Sequence, residues 1–308
     1  MNAIERLNLM VMEKGPLLAG LDPDVDKVLS MNEQIGKFSE SDFEEYGDYL
    51  EMVMSDFCCN YIEAVKDQVV AIKINIAFFE SAGMEDLFFE VAEIAKEAGL
   101  FVIADVKRAD IGNTSKQYAD AFLSEDSPID AITINPYFGT DGVKPFLDMA
   151  KQNEKGVFVL VKTSNKSSAE IQDLELADGQ KVYQKVAELV KEWGEYAKTD
   201  EDERYSLVGA VVGATHPEEA AVLRKMMPNT FFLVPGYGAQ GATADDIVVN
   251  FDENEGGAIV NSSRGIMFAY EKPPLDTSYG VKNWTKASSI AAELAQGDLL
   301  IAIWASKM

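Results

Sequence analysis

Along the chain, short runs of apolar and β-branched residues alternate with longer stretches whose apolar positions recur every three or four residues. The short runs lie near Pro16–Asp22, Val70–Asn75, Phe101–Lys107 and Ala131–Pro136, then near Val157–Ser164, Leu207–Thr215, Phe231–Gly236 and Gly257–Asn261. Most are continuously apolar, the pattern of strands buried on both faces of a parallel sheet. Between them, Phe43–Lys66 places Tyr46, Tyr49, Leu50, Val53, Met54 and Phe57 at a helical period, and Glu80–Ala98, Val182–Ala197 and Glu218–Met227 follow suit. Thr215 with Glu218 reads as a capping box that opens the last of these, which puts His216 at a helix start rather than in chemistry. Strand and helix alternating over eight strands predicts an α/β fold, a (β/α)8 TIM barrel. Pro23–Ser41, Asn165–Gly179, Thr199–Arg204 and Gly265–Lys286 read as loop insertions, the last of them before a helix near Ser288–Ala295. No compositional break suggests a linker, so residues 1–308 are read as one domain.

Composition then narrows the classes of function. The 308 residues are 47% hydrophobic and 26% charged, as in an ordinary globular enzyme, with a formal charge of −25. A field of that sign repels nucleic acid and anionic membranes, so neither is expected as a partner. The opening MNAIERLNLMVMEKG has charges within its apolar run and does not read as a signal peptide. The apolar runs fall short of the roughly 18 residues that cross a bilayer, and a cytoplasmic protein is expected. Cys58 and Cys59 are adjacent and read as plain thiols on a helix; with a single His216 they make no zinc cluster. The acidic balance has one further consequence. An anionic ligand requires basic residues gathered locally against the global field.

Those basic residues stand at strand ends, where barrels carry their chemistry. Phe101–Thr114 reads FVIADVKRADIGNT, a buried strand that ends in Asp105, Lys107 and Asp110. Asp105 and Lys107, two apart, share one side of an extended strand. Lys73 ends the preceding strand, and alternating Lys and Asp keep one another ionised where burial alone would neutralise them. Two readings of such an array are open at this point, a reactive site and a buried ion-pair lattice that merely holds the barrel. Asp22, Thr163 and Ser164 stand at other strand ends, and Asn75 and Asn135 are candidates for supporting hydrogen bonds. Pro235–Gly241 (PGYGAQG) and Asn261–Gly265 (NSSRG) follow the last two strands, where glycines let backbone N–H groups approach a phosphate and Arg264 offers a bidentate fork. A Gly-rich turn without ligand is the competing reading.

Taken in order, DVKRADIGNT, GLDPD, AIKIN, TSN, PGYGAQG and NSSRG resemble the motifs of orotidine 5′-phosphate decarboxylases, in particular the longer bacterial branch of that family. The resemblance covers nearly the whole chain. It implies decarboxylation of orotidine 5′-phosphate to UMP and CO2 in pyrimidine biosynthesis, with no metal and no organic cofactor. Lys107 would be the proton donor to C6 of the pyrimidine, with Asp105 beside the departing carboxylate and Lys73 completing the array. Family members are homodimers with the site shared across the interface, so Asp110, Ile111 and Thr114 would serve the second subunit. Asp22 would hold the ribose hydroxyls and Ser164 the pyrimidine amide. Pro235 and Gln240 in the closing turn, together with Arg264, would hold the phosphate. Arg108 is expected to point away.

Two alternatives share the fold. Magnesium-dependent sugar-phosphate decarboxylases or aldolases resemble the chain at D-x-K-x-x-D, but their second strand supplies an acidic metal ligand where Lys73 places an ammonium. A non-catalytic nucleotide-phosphate sensor would need Arg264 and the glycine turn, but not both lysines and both aspartates.

Overall fold

In a computed structural model describing residues 1–238 and 240–308, eight parallel strands close into a barrel in sequence order. They are β1 Leu17–Leu21, β2 Ala71–Asn75, β3 Phe101–Arg108, β4 Ala131–Ile134, β5 Gly156–Lys162, β6 Val208–Val212, β7 Phe232–Pro235 and β8 Ala258–Ser262. Closure is made by β8 pairing with β1, Leu18 opposite Asn261. The first helices are α1 Ala3–Lys14, α2 Val25–Ile35, α3 Tyr46–Val65, α4 Ala77–Glu80, α5 Glu85–Glu97, α6 Gly112–Leu123 and α7 Thr140–Gln152. They are followed by α8 Val182–Ala197, α9 Pro217–Met226, α10 Ala244–Ile247, α11 Arg264–Met267, α12 Leu275–Ser278 and α13 Trp284–Ala305. Among the described residues no helix is long and apolar enough to cross a membrane. Ala239, inside the Pro235–Gly241 turn, lies outside the described residues.

Strand residues alternate between two buried clusters, as the period of two requires. Val102 and Ala104, Val157 and Val159, and Phe232 and Val234 face the helices. Phe101, Ile103, Phe158, Phe231, Leu233 and Ile259 fill the interior, joined by Ala3, Ile4, Leu7 and Val11 of α1. Helix α1 lies across the N-terminal ends of the strands. Asn2 caps it through Glu5 N and donates to Tyr205 O just before β6, and Ala3 N donates to Glu154 O just before β5. The lower barrel is therefore a packed core, and its chemistry is confined to the upper rim.

Several sequence readings are corrected. Pro23–Ser41 holds a helix, α2, because the Asp24 side chain accepts from Lys27 N at its start and Gly36 turns left-handed at its end. Within Glu80–Ala98 the helix begins only at Glu85, as α5; Glu80 ends the separate α4, and the chain turns between them where Gly83 takes φ +67°. Thr215 is not a helix cap. His216 holds that position with Pro217 next, and the Thr215 hydroxyl donates to Ser164 O at 3.1 Å. The stretch Gly265–Lys286 carries short helical turns rather than open loop, and the last helix spans 22 residues, well beyond Ser288–Ala295. Its final stretch Leu299–Trp304 is continuously apolar, so no amphipathic stripe marked the helix that far. Cys58 and Cys59 lie on α3 as free thiols, and burial pushes the Cys58 thiol up.

Candidate active site

A cavity of about 400 Å³ opens at the C-terminal ends of the strands, and the charged residues of β2 and β3 form its floor. Lys73 and Asp105 are nearly buried there, with Lys73 Nζ 2.6 Å from Asp105 Oδ2. The other oxygen, Oδ1, accepts from Lys107 Nζ at 2.5 Å and from the Thr133 hydroxyl at 2.8 Å. Asp22 at the end of β1 stands 4.0 Å from Lys73 Nζ. The four side chains alternate in sign, so each charge lies beside its opposite in a region that would otherwise expel it.

The route by which Lys107 reaches Asp105 differs from the sequence expectation. A regular extended strand would suffice to align them, but β3 is not regular here. Its pairing with β4 runs Ile103 to Ala131 and Ala104 to Ile132, then shifts to Arg108 opposite Ile134. Within this bulge Lys107 takes φ +43°, a left-handed conformation that a side-chain-bearing residue seldom adopts. Its side chain emerges half-exposed, 50%, into the cavity. Arg108 turns outward to pair with Glu80 and lie over the Tyr118 and Phe122 rings.

Burial alone would raise the Asp105 carboxyl, but Lys73 and then Lys107 outweigh it and hold its pKa below the ordinary 3.8. Burial likewise opposes the Lys73 ammonium, yet Asp105 and then Asp22 reverse that, and its pKa lies above the ordinary 10.5. A depressed carboxylate contributes stability that is present above its unfolded value and is lost as pH falls through its folded value. A raised ammonium contributes stability that is present below its unfolded value and is lost as pH rises through its folded value. The Lys73–Asp105 pair therefore stays charged throughout the interval between 3.8 and 10.5. Thermal midpoints of the protein and of a Lys73→Met/Asp105→Asn double variant test this. Their difference is expected to hold steady near neutrality and to move against the native pair below pH 3.8. Movement that begins at pH 6 would contradict it.

The walls come from the remaining loops. Ser164, after β5, is set close to β6, where a Cβ on Gly213 would stand 2.8 Å from the Ser164 backbone. Gln172 braces the same loop, accepting from Thr163 N at 3.0 Å and donating to Thr163 Oγ1 at 2.7 Å. Pro235, Tyr237, Gln240 and Arg264 line the cavity as well, the turn after β7 lying next to the Ser164 loop. The turn after β7 is tied to α13 by the Tyr237 hydroxyl, which donates to Asp298 at 2.8 Å. Arg264 forms no ion pair among the described residues, so a guanidinium faces the cavity in a chain of charge −25. Buried oxygens of Asp22 and Asn261 have no hydrogen-bond partner among the described residues, which suits a ligand that brings hydroxyl or N–H donors. Among the described residues no group of three or more His, Cys, Asp or Glu side chains is placed to hold a metal ion.

Of the residues singled out in the sequence, Lys73, Asp105, Lys107, Asp22, Ser164, Pro235, Gln240 and Arg264 meet in one cavity. Asp110, Ile111 and Thr114 do not reach it. Asp110 accepts from Ile111 N, and Ile111 and Thr114 are exposed at the start of α6. Asn75 lines the cavity while Asn135 does not. Thr133, Asn261 and Tyr237 are further cavity residues to which sequence reasoning attached no role.

A model of the orotidine 5′-phosphate decarboxylase / HUMPS family matches residues 42–274. An orotidine 5′-phosphate decarboxylase of Rhodopirellula baltica is 43% identical over 293 residues, covering 92% of this chain and 93% of its own. One from Caldicellulosiruptor bescii is 39% identical over 306 residues, covering 95% and 96%. Among solved structures, the OMP decarboxylase of Leishmania donovani is similar with a TM-score of 0.73 at 27% identity, over 99% of each chain.

Proposed function

The chain belongs to the orotidine 5′-phosphate decarboxylase family, and from that premise we propose how its own residues remove CO2 from the substrate. The protein converts orotidine 5′-phosphate to UMP, a step of pyrimidine biosynthesis. The observation that carries the residue roles is the Lys73–Asp105–Lys107 array at the cavity floor, in which Lys73 and Asp105 hold each other charged despite burial and Lys107 bonds to the same carboxylate.

When the C6–carboxylate bond breaks, its electron pair stays on C6 of the ring and CO2 departs. Lys107, fixed against Asp105, stabilises that developing charge and then gives C6 its proton. Its half-exposed side chain regains a proton from solvent, so the sum is orotidine 5′-phosphate plus a proton to UMP plus CO2. Asp105 stands beside the departing carboxylate, and repulsion between the two is relieved as CO2 leaves. Lys73 keeps Asp105 ionised, Asp22 accepts from the ribose hydroxyls, and Ser164 reads the pyrimidine amide. Gln240, Arg264 and the turn that begins at Pro235 hold the phosphate. Binding energy from that remote group closes the turn over the ligand.

Asp110 completes the array from a second copy of the chain. That reading is supported by its position outside its own cavity, beside a cluster of exposed apolar side chains: Ile111 at 56%, Tyr137 at 83% and Phe138 at 51%. Ile111 and Thr114 cross with it. The working enzyme is a cytoplasmic homodimer of single-domain chains, without metal or organic cofactor. A magnesium-dependent sugar-phosphate reaction is disfavoured by Lys73, whose ammonium occupies the side of Asp105 where a cation would bind.

The loss of ultraviolet absorbance of orotidine 5′-phosphate, with and without EDTA, tests the assignment. Equal turnover in both is expected. Turnover abolished by chelation and restored by magnesium would overturn the cofactor-free mechanism.

A further inference from the structure

We propose that Thr133 is a positioning residue for the decarboxylation, its single hydroxyl setting both the backbone of Lys107 and the carboxylate of Asp105. The inference rests on the reading of Lys107 as proton donor and adds the device that holds it in place. In the irregular pairing between β3 and β4, the four-residue step from Ala104 to Arg108 spans the two-residue step from Ile132 to Ile134. Thr133 is thus the β4 residue that faces the bulge, and it is buried. Its Oγ1 accepts from Val106 N and from Lys107 N, each at 3.1 Å, and donates to Asp105 Oδ1 at 2.8 Å.

A hydroxyl has one proton and two lone pairs, and all three are engaged here. The two backbone N–H groups it receives are those that the bulge strips of ladder partners. Left unpaired in a buried strand they would oppose the bulge. The bulge in turn is where Lys107 adopts φ +43°. Such conformations persist only where the surroundings over-determine them, and glycine, their usual occupant, would delete the ammonium. Thr133 resolves that conflict by stabilising a left-handed lysine from across the sheet. The third hydrogen bond fixes Asp105 Oδ1, the same oxygen that receives the Lys107 ammonium. Backbone and head group of the proton donor are therefore referred to one atom.

Valine keeps the shape of threonine and removes the hydroxyl, while serine keeps the hydroxyl and removes the methyl. Turnover of orotidine 5′-phosphate is to be measured for Thr133→Val, Thr133→Ser and Thr133→Ala, with sites counted by UMP binding so that unfolded protein does not enter the rate. For Thr133→Val, kcat per site is expected to fall about 10- to 100-fold, the loss of one or two hydrogen bonds at the array. KM and UMP affinity are expected to stay within about twofold, because the hydroxyl touches the array and not the phosphate grip. Thr133→Ser is expected to recover most of the rate, and Thr133→Ala to resemble Thr133→Val, which covers the case that valine disturbs folding. Parental kcat per site without the hydroxyl would overturn the proposal, as would a loss that serine does not reverse. A Lys107→Ala variant run alongside separates the two levels. If it still turns over, the proton-donor reading fails; if it is inactive while Thr133→Val is unimpaired, only the positioning role fails.

Discussion

Replacing Lys107 by alanine is expected to lower kcat for orotidine 5′-phosphate by about 10⁴-fold or more, since one group supplies both proton transfer and charge stabilisation. The fold should survive the change. Asp105 keeps its contact with Lys73 at 2.6 Å and its bond from the Thr133 hydroxyl, so the buried carboxylate is not left bare. Alanine also carries a Cβ, so the left-handed backbone is no more strained than in the parent. UMP binding should remain measurable, because Asp22, Gln240 and Arg264, the proposed ribose and phosphate ligands, line the cavity from other loops. The pairing of lost turnover with retained UMP affinity identifies a group needed at the transition state rather than for binding. Decarboxylation at a tenth of the parental rate in the purified variant would refute the role.

Asp110→Ala is expected to cost about 10³-fold or more in turnover, since it removes a charge from a group that acts as a unit, and its rescue is more telling than its loss. When Asp110→Ala and Lys107→Ala chains are dissociated, mixed in equal amounts and reassociated, half of the resulting pairs carry one of each. In such a pair the site built on the Asp110→Ala chain has its own Lys107 and receives an intact Asp110 from its partner. One site in two is whole in half of the pairs, so recovery of about a quarter of parental activity is expected from two nearly inactive stocks. If Asp110 acted within its own chain, no site in the mixture would be whole, and activity would remain at the level of the parts.

The barrel was legible because its strands are continuously apolar and its breaks are polar. Seven strand segments coincide with the sequence runs to within a few residues, and β6 is shorter chiefly at its C-terminal end. What escaped had physical reasons. Helix α2 has few buried apolar residues, Val28 and Met31, and its capping Asp24 sits in an acidic, Pro-containing stretch that resembles loop. Helix α13 lacks a polar face over Leu299–Trp304, so no period marks it. At the site, charged residues at the ends of apolar strands announce themselves, because burying charge without purpose is costly. Thr133 does not, since threonine is an ordinary strand residue. Its significance arises from a register shift with a segment 26 to 28 positions earlier, which no local pattern encodes.

The plug that α1 makes in the base of the barrel bears on traffic. Ile4 and Leu7 seal the N-terminal ends, and Phe158 and Phe231 fill the interior above them. The Lys73–Asp105–Lys107 array therefore sits at the bottom of a blind well, with Pro235, Tyr237 and Gln240 among the residues of its wall. Gas released at the floor has no rear exit through that packing, and solvent has no rear entrance. On the proposed mechanism, nucleotide, CO2 and the proton that restores Lys107 would all have to pass the same rim.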